Sequence, residues 1–190
     1  MQPCIIVLTA ASGSGKTTLA RRLLERVPSI RFSVSATTRE PRDHETDGVH
    51  YHFMSAEEFE QARRDGRLLE SEEVYPGRWY GTLRSEVENS DEDAPVLLDI
   101  DVVGAQNVKE LYGENVLSVF IRPPSLDVLR GRLSARQTET EESLLERIER
   151  ARMEIQRADR FDAAVLNDDL DEATEEVVGL VREFLAGNRS

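Results

Sequence analysis

The sequence is poor in cysteine, lysine and long apolar runs, and each shortage limits what the protein can be. Its one cysteine, Cys4, cannot form an internal disulfide bond, which is typical of a reducing compartment. Only Lys16 and Lys109 are lysines among 24 basic residues, so arginine supplies nearly all the positive charge. No apolar run approaches the roughly 18 residues of a membrane-spanning helix. The first residues lack the basic region of a signal peptide, and we expect a cytoplasmic protein.

The composition is acidic. The chain has 190 residues, 39% of them apolar, and a formal net charge of −13. This length suits one domain with a sizeable core. The excess of acid disfavours nucleic acid and anionic membranes as partners. Two explanations of the acidic, lysine-poor composition stay open: adaptation to a salt-rich cytoplasm, or arginine codons displacing lysine codons in a GC-rich genome.

Apolar strands alternate with helices along most of the chain. The predicted strands are clusters of apolar and β-branched residues at 4–9, 96–100, 116–121 and 163–166. The predicted helices have apolar residues at helical spacing and cover 16–26, 125–133 and 171–185. Such alternation is typical of an α/β fold in which a parallel sheet carries helices on both faces.

Two segments interrupt this alternation. Residues 35–85 lack the strand–helix rhythm; they include a capping box at Ser55 and Glu58 and a predicted strand at 68–75. We interpret them as an inserted small mixed-β subdomain. The stretch 135–160 is strongly charged with a thin apolar stripe, and the residues of 139–160 alone suggest a solvated, ion-paired helix.

Residues 10–17 lie between the first predicted strand and the first predicted helix. They match the P-loop pattern G-x-x-x-x-G-K-[ST], except that Ala10 replaces the first glycine. In such a loop the backbone N–H groups and the helix N-terminus hold phosphates. We expect Lys16 to reach the β- and γ-phosphates and the Thr17 hydroxyl to bind Mg²⁺. The loop therefore predicts a nucleoside triphosphate site, and a plain glycine-rich turn is the alternative.

The apolar strand at 96–100 ends in acid. Asp99 and Asp101 are two residues apart, so they project to the same side of an extended strand. They would emerge at the carboxyl end of the sheet, where open α/β folds bind ligands. Alternatively, the two carboxylates only cap the helix that follows.

Further motifs follow one another in a fixed order along the chain. They are Phe32 to Arg42, Glu45, Asp47 and Gly48, Tyr51 to Phe53, Leu69 and Glu70, Tyr80 to Thr82, Asp99 to Asp101, Arg136 to Ser143, Arg147, and Asn167 to Asp171. With the P-loop they resemble the guanylate kinase family, in its order and spacing, over nearly the whole chain. The resemblance implies transfer of the γ-phosphate of ATP to GMP, and also to dGMP, for GMP recycling and guanine nucleotide synthesis.

The resemblance implies a site for the acceptor nucleotide. Its residues would be Ser35, Arg39, Arg42, Tyr51, Glu70, Tyr80, Gly81, Thr82, Asp99 and Asp101. Among them Arg39, Arg42 and the two tyrosines would hold the GMP phosphate, because a guanidinium fork pairs two oxygens at once. Glu70 and Asp101 would read guanine, whose N1–H and 2-amino group offer a donor pair that adenine lacks.

The resemblance also implies an ATP site under a lid. The ATP site would comprise Ala10, Ala11, Ser12, Gly13, Ser14, Gly15, Lys16, Thr17, Thr18 and Asn167. The catalytic residues would be Lys16, Arg39, Arg132, Arg136 and Arg147. Thr17 would hold Mg²⁺, and Asp99 would do so directly or through water.

The resemblance predicts one guanylate kinase-like domain over 1–190. Its core would span about 1–34, 86–125 and 161–190, the GMP-binding subdomain about 35–85 and a helical lid about 126–160. The implied partners are ATP and GMP, with no nucleic acid and no membrane, and the chain would be a monomer or a homodimer.

Two other functions stay open from the residues. A related P-loop kinase acting on another phosphorylated nucleotide or sugar would keep Lys16 and the lid arginines, but it would not need Glu70 and Asp101 placed for guanine. A protein-binding module of the same fold would be expected to lack a working P-loop or the lid arginines, whereas this chain has both.

Overall fold

The computed structural model describes residues 2–134 and 141–187, and within these ranges it contains nine strands and seven helices. The strands are β1 (Ile5–Ala10), β2 (Arg31–Phe32), β3 (Ala36–Thr37), β4 (His52–Phe53), β5 (Leu68–Tyr75), β6 (Arg78–Leu83), β7 (Val96–Asp99), β8 (Val116–Arg122) and β9 (Ala163–Leu166). The helices are α1 (Lys16–Arg26), α2 (Ala56–Arg64), α3 (Arg84–Glu88), α4 (Val102–Tyr112), α5 (Leu126–Ser134), α6 (Glu141–Ile155) and α7 (Leu170–Gly187). Arg136, a predicted catalytic residue, lies outside the described residues.

The larger sheet has five parallel strands in the order β2-β7-β1-β8-β9. Ile5 of β1 lies opposite Val96 on one side and Val116 on the other. Strand β1 therefore runs through the centre of the sheet, and β7 beside it ends at Asp99. The carboxyl ends of these strands share one edge, so the loops that follow them meet there.

Both faces of this sheet are covered by helices. Ile6 and Leu8 of β1 pack in one buried cluster with Leu19 of α1 and Val177 of α7. Their neighbour Val7 faces the opposite way and packs in a second cluster that includes α4, because successive strand side chains point to opposite faces. The prediction of an α/β fold with a parallel sheet between two helical layers is confirmed.

The smaller sheet has mixed strand directions in the order β4-β3-β6-β5. Strands β3 and β4 are parallel, while β6 is antiparallel to both β3 and β5. Helix α2 covers it with the buried Phe59 and Ala62 and begins with the predicted capping box at Ser55 and Glu58. The inserted mixed-β unit is therefore present.

Helices α5 and α6 pack beside the P-loop. Leu129 and Leu133 of α5 and Ala151 of α6 form a buried cluster with Ala11, and Ile148 of α6 packs against it. The ion pairs expected within α6 are present, Arg150 with Glu154 and Arg152 with Glu149. The expectation that α6 is solvated holds for only part of its surface, because its thin apolar stripe packs against the loop and α5. Within the described ranges, no helix combines the length and the apolar character that a bilayer crossing requires.

Candidate functional site

The P-loop turns tightly between β1 and α1. Gly13 and Gly15 have φ of 89° and 90°, a left-handed conformation that side chains with a Cβ rarely adopt. The Ser14 N–H donates to Ala11 O at 3.1 Å, which closes the turn. Helix α1 begins at Lys16, so its N-terminal partial positive charge lies at the loop. Ala10 in place of glycine is accommodated as the last residue of β1.

Lys16 lies at the junction of the P-loop and strand β7. Its Nζ is 2.5 Å from Asp99 Oδ1 and donates to Ile100 O at 2.6 Å. The two side chains are largely buried, with 21% and 15% of their surface exposed. This lysine therefore already has an anionic partner, which phosphate oxygens would replace or join.

Asp101 caps helix α4. Its Oδ1 accepts hydrogen bonds from Val103 N–H at 2.7 Å and Gly104 N–H at 3.0 Å. Capping therefore accounts for one oxygen of Asp101, as the alternative interpretation of the strand end predicted. Burial raises its pKa, but hydrogen bonds with Glu72 and with these two N–H groups outweigh that effect and lower the pKa of Asp101.

Glu70 is the most deeply buried acid of the site, with 8% of its surface exposed. Thr82 donates its hydroxyl to Glu70 Oε1 at 2.7 Å. A Cβ on Gly104 would lie 2.6 Å from Glu70 Oε2, so a larger residue at 104 would displace the Glu70 carboxylate. Burial raises the pKa of the Glu70 carboxyl to about 7; the Thr82 hydrogen bond opposes the rise and the Asp101 charge adds to it. Glu70 therefore lacks a cationic partner strong enough to hold it fully ionised.

Arg39 is held by an acid and two aromatic rings. Its Nη1 and Nη2 donate to the two oxygens of Glu45 at 2.8 and 2.9 Å, a bidentate pair. The guanidinium lies 5.2 Å from the Tyr51 ring centre and 5.6 Å from that of Phe53. The hydrogen bond from Arg39 lowers the pKa of Glu45 to about 2. Arg42 is exposed, and its backbone N–H donates to the same Glu45 at 2.8 Å.

The described lid arginines contact the P-loop or its supports. Arg147 of α6 donates to Ser12 Oγ at 2.6 Å, and Arg132 of α5 donates to Asn167 O at 3.3 Å. Asn167, which is buried, donates its side-chain amide to Ser14 O at 2.7 Å. Asn167, directly after β9, and Arg147 of α6 therefore both hold the loop in place.

Many of these groups line one cavity of about 460 Å³. Predicted site residues that line it are Ala10 to Thr18, Ser35, Tyr51, Glu70, Tyr80, Gly81, Asp99, Asp101 and Arg147. Arg39, Arg42, Thr82, Arg132 and Asn167 lie outside the lining. Of these, Thr82 donates a hydrogen bond to the lining residue Glu70, and Asn167 donates one to the lining residue Ser14. The cavity thus joins the P-loop to the predicted guanine-reading acids.

The structure adds lining residues that sequence reasoning missed. They are Phe32, His50, Val74, Ile100, Arg150 and Glu154. Arg150 and Glu154 belong to the charged stretch of α6 and follow Arg147 at helical spacing, a signal that places them on the same face. His50, interpreted as a structural residue from sequence, accepts a hydrogen bond from Thr46 N–H at its Nδ1.

Comparison with known proteins agrees with this arrangement. The family model described as guanylate kinase matches residues 2–184. A guanylate kinase from Salinibacter ruber is 59% identical over 182 residues, covering 96% of this chain and 97% of that protein. One from Chlorobium luteolum is 50% identical over 183 residues, covering 96% and 92%.

A solved structure agrees as well. The crystal structure of guanylate kinase from Anaplasma phagocytophilum superposes with a TM-score of 0.77 at 32% identity, covering all of this chain and 88% of that one. The resemblance that the motifs suggested is confirmed by sequence and by structure. The chain therefore belongs to the guanylate kinase family.

Proposed function

We propose that the protein transfers the γ-phosphate of ATP to GMP, giving ADP and GDP. The observation that carries this proposal is the single cavity lined both by the P-loop and by Glu70 and Asp101. A P-loop at one end suits a triphosphate. At the other end the buried carboxylate of Glu70 and the half-buried one of Asp101 suit a base with adjacent N–H donors. The family membership of the chain supports the same reaction.

The transfer is direct. An oxygen of the GMP phosphate attacks the γ-phosphorus of ATP, and the bond from that phosphorus to the β,γ-bridging oxygen breaks, so that ADP leaves with the electron pair. The residues act by position and charge rather than by forming a covalent intermediate. Lys16 and Arg147 would stabilise the charge on the transferring group, joined by Arg132, Arg136 and Arg39.

Guanine selection follows from the burial of Glu70. Its carboxylate can accept from both guanine N1–H and the 2-amino group, while adenine would leave that buried charge unpaired. Thr82 fixes its orientation through the 2.7 Å hydrogen bond. The GMP phosphate would lie near Tyr51 and Tyr80, with Arg39 beside Tyr51 and Arg42 close by along the chain.

The donors at the P-loop fit Mg²⁺. Thr17 and Asp99 both line the cavity and offer a hydroxyl and a carboxylate, the hard oxygen ligands that this ion prefers. We infer that they hold Mg²⁺ with the nucleotide, Asp99 directly or through water. When bound, the ion neutralises charge on the β- and γ-phosphate oxygens.

The arrangement of segments supports different roles for two parts of the chain. Residues 35–85 would bind GMP, and 126–160 would act as a lid that excludes water during transfer. We place the protein in the cytoplasm, because its one cysteine is buried and cannot form an internal disulfide.

A coupled assay of ADP formation tests the function. With Mg·ATP present, GMP should support turnover at least about 100-fold better than AMP, CMP or UMP at equal concentration. Equal rates with all four nucleotides, or ATP hydrolysis that GMP does not stimulate, would contradict the proposal. Radiolabel from the γ-phosphate retained on the protein would contradict direct transfer.

A further inference from the structure

Four charged side chains from three elements meet at the edge of the cavity. Arg150 and Glu154 lie on α6, Glu72 lies on β5, and Asp101 caps α4. Arg150, Glu154 and Asp101 line the cavity itself. None of the roles proposed above uses Glu72, Arg150 or Glu154.

Arg150 connects α6 to strand β5. Its Nη2 lies 3.3 Å from Glu72 Oε1, and its Nη1 donates to Val74 O at 3.3 Å. Its Nε donates to Glu154 Oε1 at 3.0 Å, one turn further along α6. The guanidinium is thus held on its own helix by one carboxylate and reaches the smaller sheet through another carboxylate and a backbone carbonyl.

Glu72 faces Arg150 on one side and Asp101 on the other. Burial and the hydrogen bond to Asp101 raise the pKa of Glu72, and the charge of Arg150 opposes that rise. Glu72 therefore links the helix α6 to the N-cap of α4.

The spacing of residues along β5 and α6 shows which parts of the cavity the contact between Arg150 and Glu72 connects. Glu70 and Glu72 are two residues apart on β5 and so project from the same face of the strand. Arg147 and Arg150 are three residues apart on α6 and so share one face of the helix. Arg147 contacts the P-loop through Ser12, and Arg150 contacts β5 two residues beyond Glu70. One helix face therefore touches both ends of the cavity.

We propose that Arg150 and Glu72 are positioning residues that latch helix α6 onto the guanine end of the cavity and so favour GMP binding. The inference rests on the proposed function for its kinetic consequences. The α6–β5 latch, formed by Arg150 with Glu72 and Val74 O, holds the lid helix beside the strand that carries Glu70. GMP then binds a protein in which this arrangement is already populated.

The expected effect is modest. The Arg150 and Glu72 side chains are 36% and 25% exposed, so water screens their attraction in part. Losing the latch should raise the KM for GMP about threefold to fivefold, the size typical of partly exposed ion pairs. The kcat should stay within about twofold, since saturating substrates hold the lid closed through their own contacts.

The test compares R150M, E72A and the double variant with R152M as the matched control. R152M removes an equal charge from the same helix at a side chain that is 57% exposed and pairs only loosely, 3.9 Å from Glu149. Each single latch variant should raise the KM for GMP, and the double variant should raise it no further than the larger single effect, because the two residues act as one unit. R152M should match the wild type.

Three kinetic results would overturn the latch. The first is equal constants for R150M and R152M. The second is effects of R150M and E72A that multiply in the double variant. The third is a fall in kcat of tenfold or more with an unchanged KM, because that result would place Arg150 on the reacting phosphates.

A measurement without substrates separates the latch from the proposed function. Amide hydrogen exchange over 144–155 should be faster in R150M than in the wild type and unchanged in R152M. Equal exchange in all three proteins would overturn the latch. If the wild type formed no ADP with GMP, the proposed function would fail and this exchange experiment would still decide whether the latch exists.

Discussion

The two ends of the cavity are built in different ways. At the P-loop end the backbone sets the geometry through Gly13, Gly15 and the first turn of α1. At the guanine end the side chains Glu70, Glu72 and Asp101 come from β5 and the N-cap of α4, and their arrangement depends on hydrogen bonds and on the pairing of charges. A site whose geometry is set by the backbone should tolerate substitutions of neighbouring side chains. A site built from side chains should change its geometry with each such substitution.

Without substrates, three cations in and around the site are paired with carboxylates. Lys16 pairs with Asp99, Arg39 pairs with Glu45, and Arg150 pairs with Glu72. Two cations that are expected to meet phosphates, Lys16 and Arg39, thus begin with a carboxylate partner. Substrate binding must exchange or share these partners, and this requirement makes the affinity sensitive to pH and salt.

The largest effect is expected at the backbone-built end. Lys16→Met should lower kcat by a factor of about 100 or more, because the transferring phosphate loses the cation of the P-loop. The loop itself should keep its shape, since glycines and hydrogen bonds set it. Steady-state kinetics at saturating Mg·ATP and GMP would measure the loss.

The only other lysine provides the control. Lys109 Nζ donates to Val116 O at 2.8 Å and pairs with Asp162 at 2.9 Å, away from the cavity. Lys109→Met should leave kcat within about twofold and lower only the thermal stability. Equal losses of activity in the two variants would show that Lys16 has no special role.

The second effect concerns the choice of base at the side-chain end. Glu70→Gln should reduce the preference for GMP over AMP by about 10- to 100-fold, because an amide cannot accept from both guanine donors. Glu73→Gln is the control: Glu73 lies on the same strand, is exposed, and accepts a hydrogen bond from Gly77 N–H. Unchanged selectivity in E70Q, with the fold intact by circular dichroism, would shift guanine reading to Asp101.

A smaller effect should appear with pH. The pKa of Glu70 is about 7, raised by burial, and guanine binding needs the ionised form. Lowering the pH protonates Glu70 and so removes the ionised form. The dissociation constant for GMP should therefore rise about tenfold between pH 8 and pH 6. The GMP phosphate titrates in the same range. Because E70Q lacks the Glu70 carboxyl, its pH dependence measures the contribution of the GMP phosphate alone. Equal pH dependence in the wild type and E70Q would contradict the role of the Glu70 proton.

The P-loop end could be predicted from sequence nearly in full, because its geometry is local: a strand, two glycines and a helix are contiguous in the chain. At the guanine end the residues alone placed Asp99 and Asp101 at the ligand-binding edge of the sheet, but guanine as the ligand was predicted only through resemblance. Nothing in the sequence indicates that Glu72 lies between Asp101 and Arg150, since these residues are 29 and 78 positions apart from it. From its residues alone, α6 was interpreted as a solvated helix. The sequence could not show that Arg150 contacts β5, because the two partners are far apart in the chain.

The smallest expected effect is that of salt on the whole molecule. A net charge of −13 repels itself, and raising KCl to about 1 M shortens the Debye length from about 10 to about 3 Å. The melting temperature should rise with KCl, by about 2 to 4 °C for each kcal/mol gained, while GMP affinity falls. A flat or falling melting temperature would leave codon usage as the explanation of the composition.

Calorimetric titration of GMP and of ADP into Lys16→Met and Arg39→Ala tests the two-ended account most directly. K16M should bind GMP within about twofold of the wild type and ADP much more weakly. R39A should show the reverse, with GMP weakened about 10-fold or more because a charged hydrogen-bond partner is lost. If both variants lost both ligands to the same extent, the cavity would not have two separate ends and the account would be wrong.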